Sequence, residues 1–378
     1  MKKTNVLIVD DSIFFRKYLA SRLSEYPNIE IVGFAMNALE AKYSIPRIHP
    51  DVVTLDVEMP GMSGIDLLKH LMSSNPVPVV IVSAANMNVF DALSAGAVDF
   101  VKKPDINDPE VGLKFIHDLA NKIEIASNAH IHKKAPFAAA PATAPTTAPA
   151  YATAPAAPVS PAASVEPFIK KTASLTQPLP LTGSGFSSKS VIVALGASTG
   201  GTEATLVVLK DLPKNTPGIV IVQHMPPGFT KMYADRLNTQ CPMEVREAKD
   251  GDRVQQGLAL IAPGDMQMQV VRNGSGYSVK CFHGEKVSGH CPSVDVLFNS
   301  VAEAAGKDAV GIIMTGMGKD GADGLLHMRK QGAYTIGQDQ ESCIVYGMPM
   351  VAFNIGAVAK QASCESIPQV LKTYLNQL

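Results

Sequence analysis

The chain has 378 residues, 46% of them hydrophobic and 18% charged, and a formal net charge of −1. That is room for two domains, and the near-neutral charge without a basic cluster argues against nucleic acid as the main partner. No apolar run is long enough to cross a bilayer, M-K-K-T-N leads straight into a short strand ending at two aspartates, and five cysteines form no C-x-x-C pair; together these features predict a reduced, cytoplasmic protein without signal peptide or membrane insertion.

Residues 1–126 alternate strand and helix signals five times. Strands are expected at Val6–Val9, Ile31–Phe34, Val52–Leu55, Val79–Val82 and Val98–Val101, with helices between and after them. One such helix is Ile13–Leu23, where Phe15, Leu19 and Leu23 recur at helical spacing. This alternation predicts a doubly wound α/β domain with its site at the carboxyl ends of a parallel sheet.

Three carboxylates fall at those ends: Asp10 and Asp11 after the first strand and Asp56 after the third. Clustered negative charges repel unless a cation neutralises them, and hard oxygen ligands with water suit Mg²⁺. Ser83 ends the fourth strand and Lys103 follows the fifth; a hydroxyl and an ammonium are the groups needed to hold phosphoryl oxygens on one of the acids. Asp and Ser are common at loop ends, so any one of these alone would be unremarked; all five at strand ends point to a site.

The segment resembles the receiver domain of two-component response regulators. The resemblance implies that Asp56, in T-L-D-V-E-M-P-G-M-S-G, is the phosphoacceptor. It implies that Asp11 binds Mg²⁺ with support from Asp10 and with the backbone carbonyl of Glu58 as a further ligand. Ser83 and Lys103 would bind the phosphoryl group, and Phe100 holds the aromatic switch position.

Residues 127–188 change character to a low-complexity Ala/Pro/Thr run and read as a flexible linker. Fully extended, it would reach on the order of 150 Å.

From residue 189 to 378 the βα alternation resumes, with strands expected at Val191–Leu195, Gly218–Gln223, Val310–Met314 and Ala333–Ile336. Met266–Val271 and Tyr277–Phe282, joined by Asn273-Gly274-Ser275-Gly276, predict an added antiparallel hairpin. The expected architecture is therefore two doubly wound parallel-sheet domains, flavodoxin-like and Rossmann-like.

The stretch Val191–Gly201, V-I-V-A-L-G-A-S-T-G-G, is a buried strand, a glycine turn and a helix start. It contains G-x-S-x-G from Gly196 to Gly200 and presents Ser198 either as a nucleophile on an elbow or as a helix cap in a phosphate cradle. A dinucleotide site wants G-x-G-x-x-G and an acid ending the second strand, whereas here the spacing is G-x-x-x-G-G and that strand ends in Gln223-His224.

A serine nucleophile needs a base, and the base an orienting acid. His224, in V-Q-H-M-P-P-G, sits at a carboxyl strand end; His283, His290 and His327 read better as solvated or structural histidines. M-T-G-M-G-K-D-G-A-D-G leaves another strand through a glycine-rich turn and presents Asp320. Its rival Asp323 reads as a helix-start residue, and Asp250, Asp252 and Asp265 as turn residues. The order Ser–His–Asp excludes the α/β-hydrolase family.

G-A-S-T-G-G-T-E-A, Q-H-M-P-P-G-F-T, P-S-V-D-V-L-F, M-T-G-M-G-K-D-G-A and V-Y-G-M-P resemble the chemotaxis-receptor glutamate methylesterase family, whose catalytic domain follows a receiver. The family's triad falls on Ser198, His224 and Asp320. Thr199 and Met317 lie where members shape the site and its oxyanion hole. Cys291, where a basic residue is expected, and Met350 depart from the pattern.

The resemblance implies hydrolysis of glutamyl methyl esters and deamidation of glutamines on the cytoplasmic helices of chemoreceptors. A chemotaxis histidine kinase would be the phosphodonor. Mg²⁺ would serve the receiver only, the esterase chemistry would need no cofactor, and the chain is expected to act as a monomer. A transcriptional regulator would need a helix-turn-helix and a basic face, and the sequence offers neither.

Overall fold

The apolar runs of the N-terminal third form five strands in the computed structural model, which describes residues 3–84, 89–104, 108–131 and 191–378. In chain order they are β1 (Thr4–Val9), α1 (Ile13–Leu23), β2 (Ile29–Ala35), α2 (Ala38–Ile48), β3 (Val52–Leu55), α3 (Gly64–Ser74), β4 (Val79–Ser83), α4 (Val89–Ala95), β5 (Asp99–Lys102) and α5 (Pro109–Ser127). The sheet is parallel throughout, in the order β2-β1-β3-β4-β5.

Alternate residues of β1 serve opposite faces. Val6 and Ile8 pack with Phe15, Leu19, Phe115 and Leu119 of α1 and α5, while Leu7 and Val9 pack with the cluster holding Leu67, Leu71 and Phe90. Burial on both faces is why the central strands read as unbroken apolar runs. Side-chain oxygens of Ser12, Asn37, Ser63 and Asp108 cap the helices that follow them.

The second run of elements is β6 (Ile192–Ala197), α6 (Gly201–Lys210), β7 (Ile219–Gln223), α7 (Phe229–Gln240), β8 (Glu244–Glu247), β9 (Arg253–Val254), β10 (Leu258–Ile261), β11 (Gln267–Asn273) and β12 (Gly276–Phe282). It continues with α8 (Val294–Ala305), β13 (Ala309–Ile313), α9 (Ala322–Lys330), β14 (Tyr334–Gln338), α10 (Met348–Asn354), β15 (Lys360–Ala362) and α11 (Ile367–Leu375). Seven strands make a parallel sheet ordered β15-β14-β13-β6-β7-β10-β8.

The expected hairpin is present as β11 and β12, and its partner β9 makes it a three-stranded antiparallel sheet. Asn273 pairs with Gly276, so the turn itself is Gly274-Ser275. The fifth receiver strand lies one residue later than expected. Strands β8, β9, β10 and β15 were not anticipated: β8 and β15 are short, partly polar sheet edges, β9 has two residues, and the apolar β10 has the same four-residue pattern as β3 and was missed. The expected linker, 127–188, lies outside the described residues beyond Ile131.

What positions the site is the order β13-β6-β7. The chain steps from β6 to β7 on one side and later returns to β13 on the other, so three carboxyl strand ends meet at one crevice.

Candidate active site

The acids at the carboxyl ends of the first sheet converge as expected. One carboxylate oxygen from each of Asp10, Asp11 and Asp56 lies within 4.8 Å of the others. Asp10 and Asp56 are buried and Asp11 is exposed. Three hard oxygen donors so close fit Mg²⁺, which would supply positive charge for the oxygens of an incoming phosphoryl group. The Glu58 amide donates to Asp56 Oδ1 at 3.1 Å.

Lys103 Nζ pairs with Asp10 Oδ2 at 2.6 Å and also with Asp56 Oδ2. Burial raises the Asp56 carboxyl above the ordinary range, with Lys103 opposing the shift and Asp10 adding to it. Ser83 is buried at the end of β4, beside β5.

In the second sheet Ser198 follows β6 directly. Its amide donates to Thr315 O at 3.0 Å, and its carbonyl accepts from Gly201 N at 2.7 Å and from Gln223 Nε2 at 2.8 Å. Two glycines allow this turn. Gly200 has φ +76, and a Cβ there would meet Ile344 Cβ at 2.7 Å; a Cβ on Gly196 would meet Val294 Cγ1 at 2.2 Å. The second contact lets the start of α8 approach the end of β6.

His224 Nε2 lies 2.8 Å from Asp320 Oδ2. Its other nitrogen, Nδ1, is buried without a hydrogen-bond partner, so no Ser198–His224 hydrogen bond is made in this state. Ser198 and His224 nonetheless line one small pocket. Asp320 is 1% exposed and is also held by Ser293 Oγ at 2.7 Å, Val294 N at 2.7 Å and Asp295 N at 3.1 Å.

The amide donors belong to the N-terminus of α8, where the helix dipole favours an anion. Burial acts to raise the Asp320 carboxyl, but the His224 contact and the Ser293 and Val294 donors outweigh it and hold the group down at about 2. The neighbouring Asp295 is shifted the other way, raised by burial and by the Asp320 charge.

Among the alternative histidines, His283 is exposed and His327 Nδ1 is 2.9 Å from Asn299 Oδ1 on the adjacent helix. Of the two alternatives for His290, solvated or structural, the structure favours the second. Its ring stacks on that of His224, with centroids 3.7 Å apart and planes 8° from parallel. Ser293 and Gln223 also belong to the site's framework and were not singled out by sequence reasoning. Ser293 was detectable as a helix-capping serine just before the largely apolar Val294–Phe298. Asp323 is exposed in the first turn of α9, away from the Asp320 contacts. Cys291 is partly exposed, and Met317 and Met350 are 46% and 41% exposed.

The receiver contributes to the same pocket. Asp99 and Phe100 line it with Ser198 and His224. Thr199 Oγ1 donates to Asp99 Oδ2 at 2.8 Å, so this hydroxyl is committed to the receiver here. Asp99 Oδ1 in turn takes Lys122 Nζ at 3.0 Å. Phe100 packs on Phe229 at 4.7 Å and Phe90 on Tyr233 at 5.8 Å. Arg236 Nη1 pairs with Glu203 Oε1 at 2.9 Å, and Glu203 accepts from Ser94. His130 N donates to Ile344 O at 2.9 Å, and the Ile344 side chain packs against the receiver core.

Residues 6–111 match the family model described as response regulator receiver domain, and residues 193–371 the one described as CheB methylesterase. A relative from Syntrophomonas wolfei, named protein-glutamate methylesterase/protein-glutamine glutaminase 2, is 48% identical over 378 residues, 100% of this chain and 99% of the relative. A protein-glutamate methylesterase/protein-glutamine glutaminase from Syntrophotalea carbinolica is 43% identical over 372 residues, 97% of this chain and 96% of that one. Among solved structures, the CheB methylesterase catalytic domain of Thermotoga maritima is 35% identical and covers 50% of this chain and 100% of its own, with a TM-score of 0.48.

Proposed function

The chain belongs to the protein-glutamate methylesterase/protein-glutamine glutaminase family of enzymes, and from this premise we propose that it demethylates glutamyl methyl esters on chemoreceptors under control of its own receiver. The observation that carries the reading is the Asp320–His224 contact at 2.8 Å, with Nδ1 left unpaired and Ser198 and His224 lining one pocket.

In this reading Ser198 Oγ attacks the ester carbonyl while His224 Nδ1 takes its proton and then returns it to the departing methoxide. Asp320 stays ionised: it accepts the hydrogen bond of the Nε2–H group, fixes the tautomer and offsets the imidazolium charge. Water then attacks the acyl-enzyme by the same route, releasing the glutamate. A receptor glutamine would follow the same path with ammonia leaving. Thr199, which lines the pocket, and Met317 would help to shape the oxyanion site.

Regulation would act on the contact just described. Residues 1–126 would be the receiver, 127–188 a tether and 189–378 the catalytic domain. With Asp99 and Phe100 on the Ser198 pocket, the receiver restrains Thr199 and narrows access. Phosphorylation of Asp56 by a histidine kinase adds about −1.5 to −2 charge. Ser83 and Lys103, at the ends of β4 and β5, would be drawn toward it and would shift the strand that carries Asp99 and Phe100. A tenfold activation needs only about 1.4 kcal/mol of differential stability. Asp10, Asp11, Asp56 and the Glu58 carbonyl would hold Mg²⁺ during phosphorylation. The chain would work in the cytoplasm as a monomer; no helix among the described residues is long and apolar enough to cross a membrane.

The test is methanol release from membranes carrying methylated receptors, for wild type and Ser198→Ala, with and without acetyl phosphate and Mg²⁺. Release that requires Ser198 and rises with the phosphodonor is expected. No release from folded wild type would remove the methylesterase reading.

A further inference from the structure

We propose that His290 is a positioning residue for His224, an inference that rests on the triad reading above. The contact to Asp320 holds one edge of the His224 ring but leaves the ring free to rock about the Nε2···Oδ2 line. Rocking would change the direction in which Nδ1 meets an incoming Ser198 hydroxyl. A flat group lying on the ring face removes that freedom, and the His290 ring lies there at 3.7 Å and 8°.

The backbone holds His290 firmly. Val287 and His290 exchange two backbone hydrogen bonds, at 3.0 and 2.9 Å, around Ser288 at φ 52 and Gly289 at φ 85. Positive φ at both central positions is the signature of a type I′ turn. Gln267, 2% exposed on β11, spans the loop: its Nε2 donates to Glu285 O at 2.8 Å, and its Oε1 accepts from Ser293 N at 2.9 Å. Ser293 then donates to Asp320. One scaffold therefore places both the group on the edge of His224 and the group on its face.

His290 also has the charge state the position requires. Burial, the neighbouring His224 and Lys286 disfavour its cation, Asp320 favours it, and the balance holds the ring down at about 4. At neutral pH an uncharged ring faces an imidazole that must become cationic during turnover, so the stack adds no repulsion at that step.

The experiment compares full-length His290→Ala, His290→Leu and His290→Phe, phosphorylated with acetyl phosphate, for kcat and KM of methanol release, beside Ser198→Ala and His224→Ala. Loss of alignment predicts about a 10- to 100-fold fall in kcat for Ala and Leu, with KM little changed. Phe, flat and without a proton, should restore most of the rate. Thermal unfolding identifies a variant that has lost its fold, and Leu fills the volume if Ala does not fold. Wild-type kcat in a folded Ala or Leu variant overturns the proposal, as does Phe no better than Leu, because then the imidazole's protons matter and not its plane. Activity retained in His224→Ala would overturn the base assignment itself, which separates that failure from a failure of His290 alone.

Discussion

Thr199 Oγ1 and Asp99 Oδ2 are 2.8 Å apart, which ties the residue after Ser198 to the strand that leads to Lys103. A net hydrogen bond of this kind contributes about 1 kcal/mol. Asp99→Ala should therefore raise the unphosphorylated rate of methanol release about fivefold and leave the phosphorylated rate near wild type. Lys122 keeps Asp118 within 4.0 Å, so the variant does not strand the ammonium. An unchanged unphosphorylated rate would mean that the contact restrains nothing.

Ser293 Oγ does two things: it accepts from Val296 N as the cap of α8 and donates to Asp320. Ser293→Ala should cost about 1–3 kcal/mol in chemical denaturation. The pH dependence has a definite sign. Asp320 is held down at about 2, so its contribution is full above the unfolded carboxyl range and is lost as pH falls toward about 2. The gap between wild type and variant should be widest at neutral pH and close in acid; a gap that widens in acid would contradict this.

Asp56 can attack a phosphodonor only as a carboxylate, and burial raises its carboxyl. At limiting Mg²⁺, phosphorylation by acetyl phosphate should thus fail on the acid side sooner than for an ordinary aspartate. Removing the opposing ammonium in Lys103→Ala should move that limb to higher pH, and added Mg²⁺ should move it lower. A limb that stays put in Lys103→Ala would show that the ammonium does not set the ionisation of Asp56.

The depressed His290 gives a prediction that needs no enzyme assay. Below the unfolded histidine range the denatured chain binds a proton that the folded ring refuses, so stability from this group is complete above about pH 6.5 and is lost as pH falls through about 4. In urea denaturation across that window, His290→Phe should lose stability less steeply than wild type. Parallel slopes would place the ring's titration elsewhere.

The sheets were legible because central parallel strands, covered on both faces, must be apolar along their whole length, as in β1 and β6. Edge strands such as Glu244–Glu247 and Lys360–Ala362 are under no such constraint and leave no pattern. Asp10, Asp56, Ser198 and His224 were legible for a related reason: polar residues ending apolar strands stand out, and topology brings those ends together; Asp320 was picked out from the glycine-rich turn that follows β13. His290 carried no such mark. It sits in an exposed polar loop, and its stack on His224 depends on a type I′ turn and on Gln267, which lies 23 positions earlier in the chain. The hold of Asp99 on Thr199 was equally hidden, since it joins residues 100 positions apart.

Gly200 is what permits Ile344 to sit against the serine turn, and Ile344 is also where the chain leaving α5 makes its backbone contact through His130. That arrangement links the exit of α5 to the serine turn. A receiver transplanted from a relative would bring its own departure from α5 but inherit this isoleucine, and a mismatch there would press on the nucleophile's own turn. A domain exchange should therefore leave the serine turn undisturbed only when the crossover carries both sides of this contact.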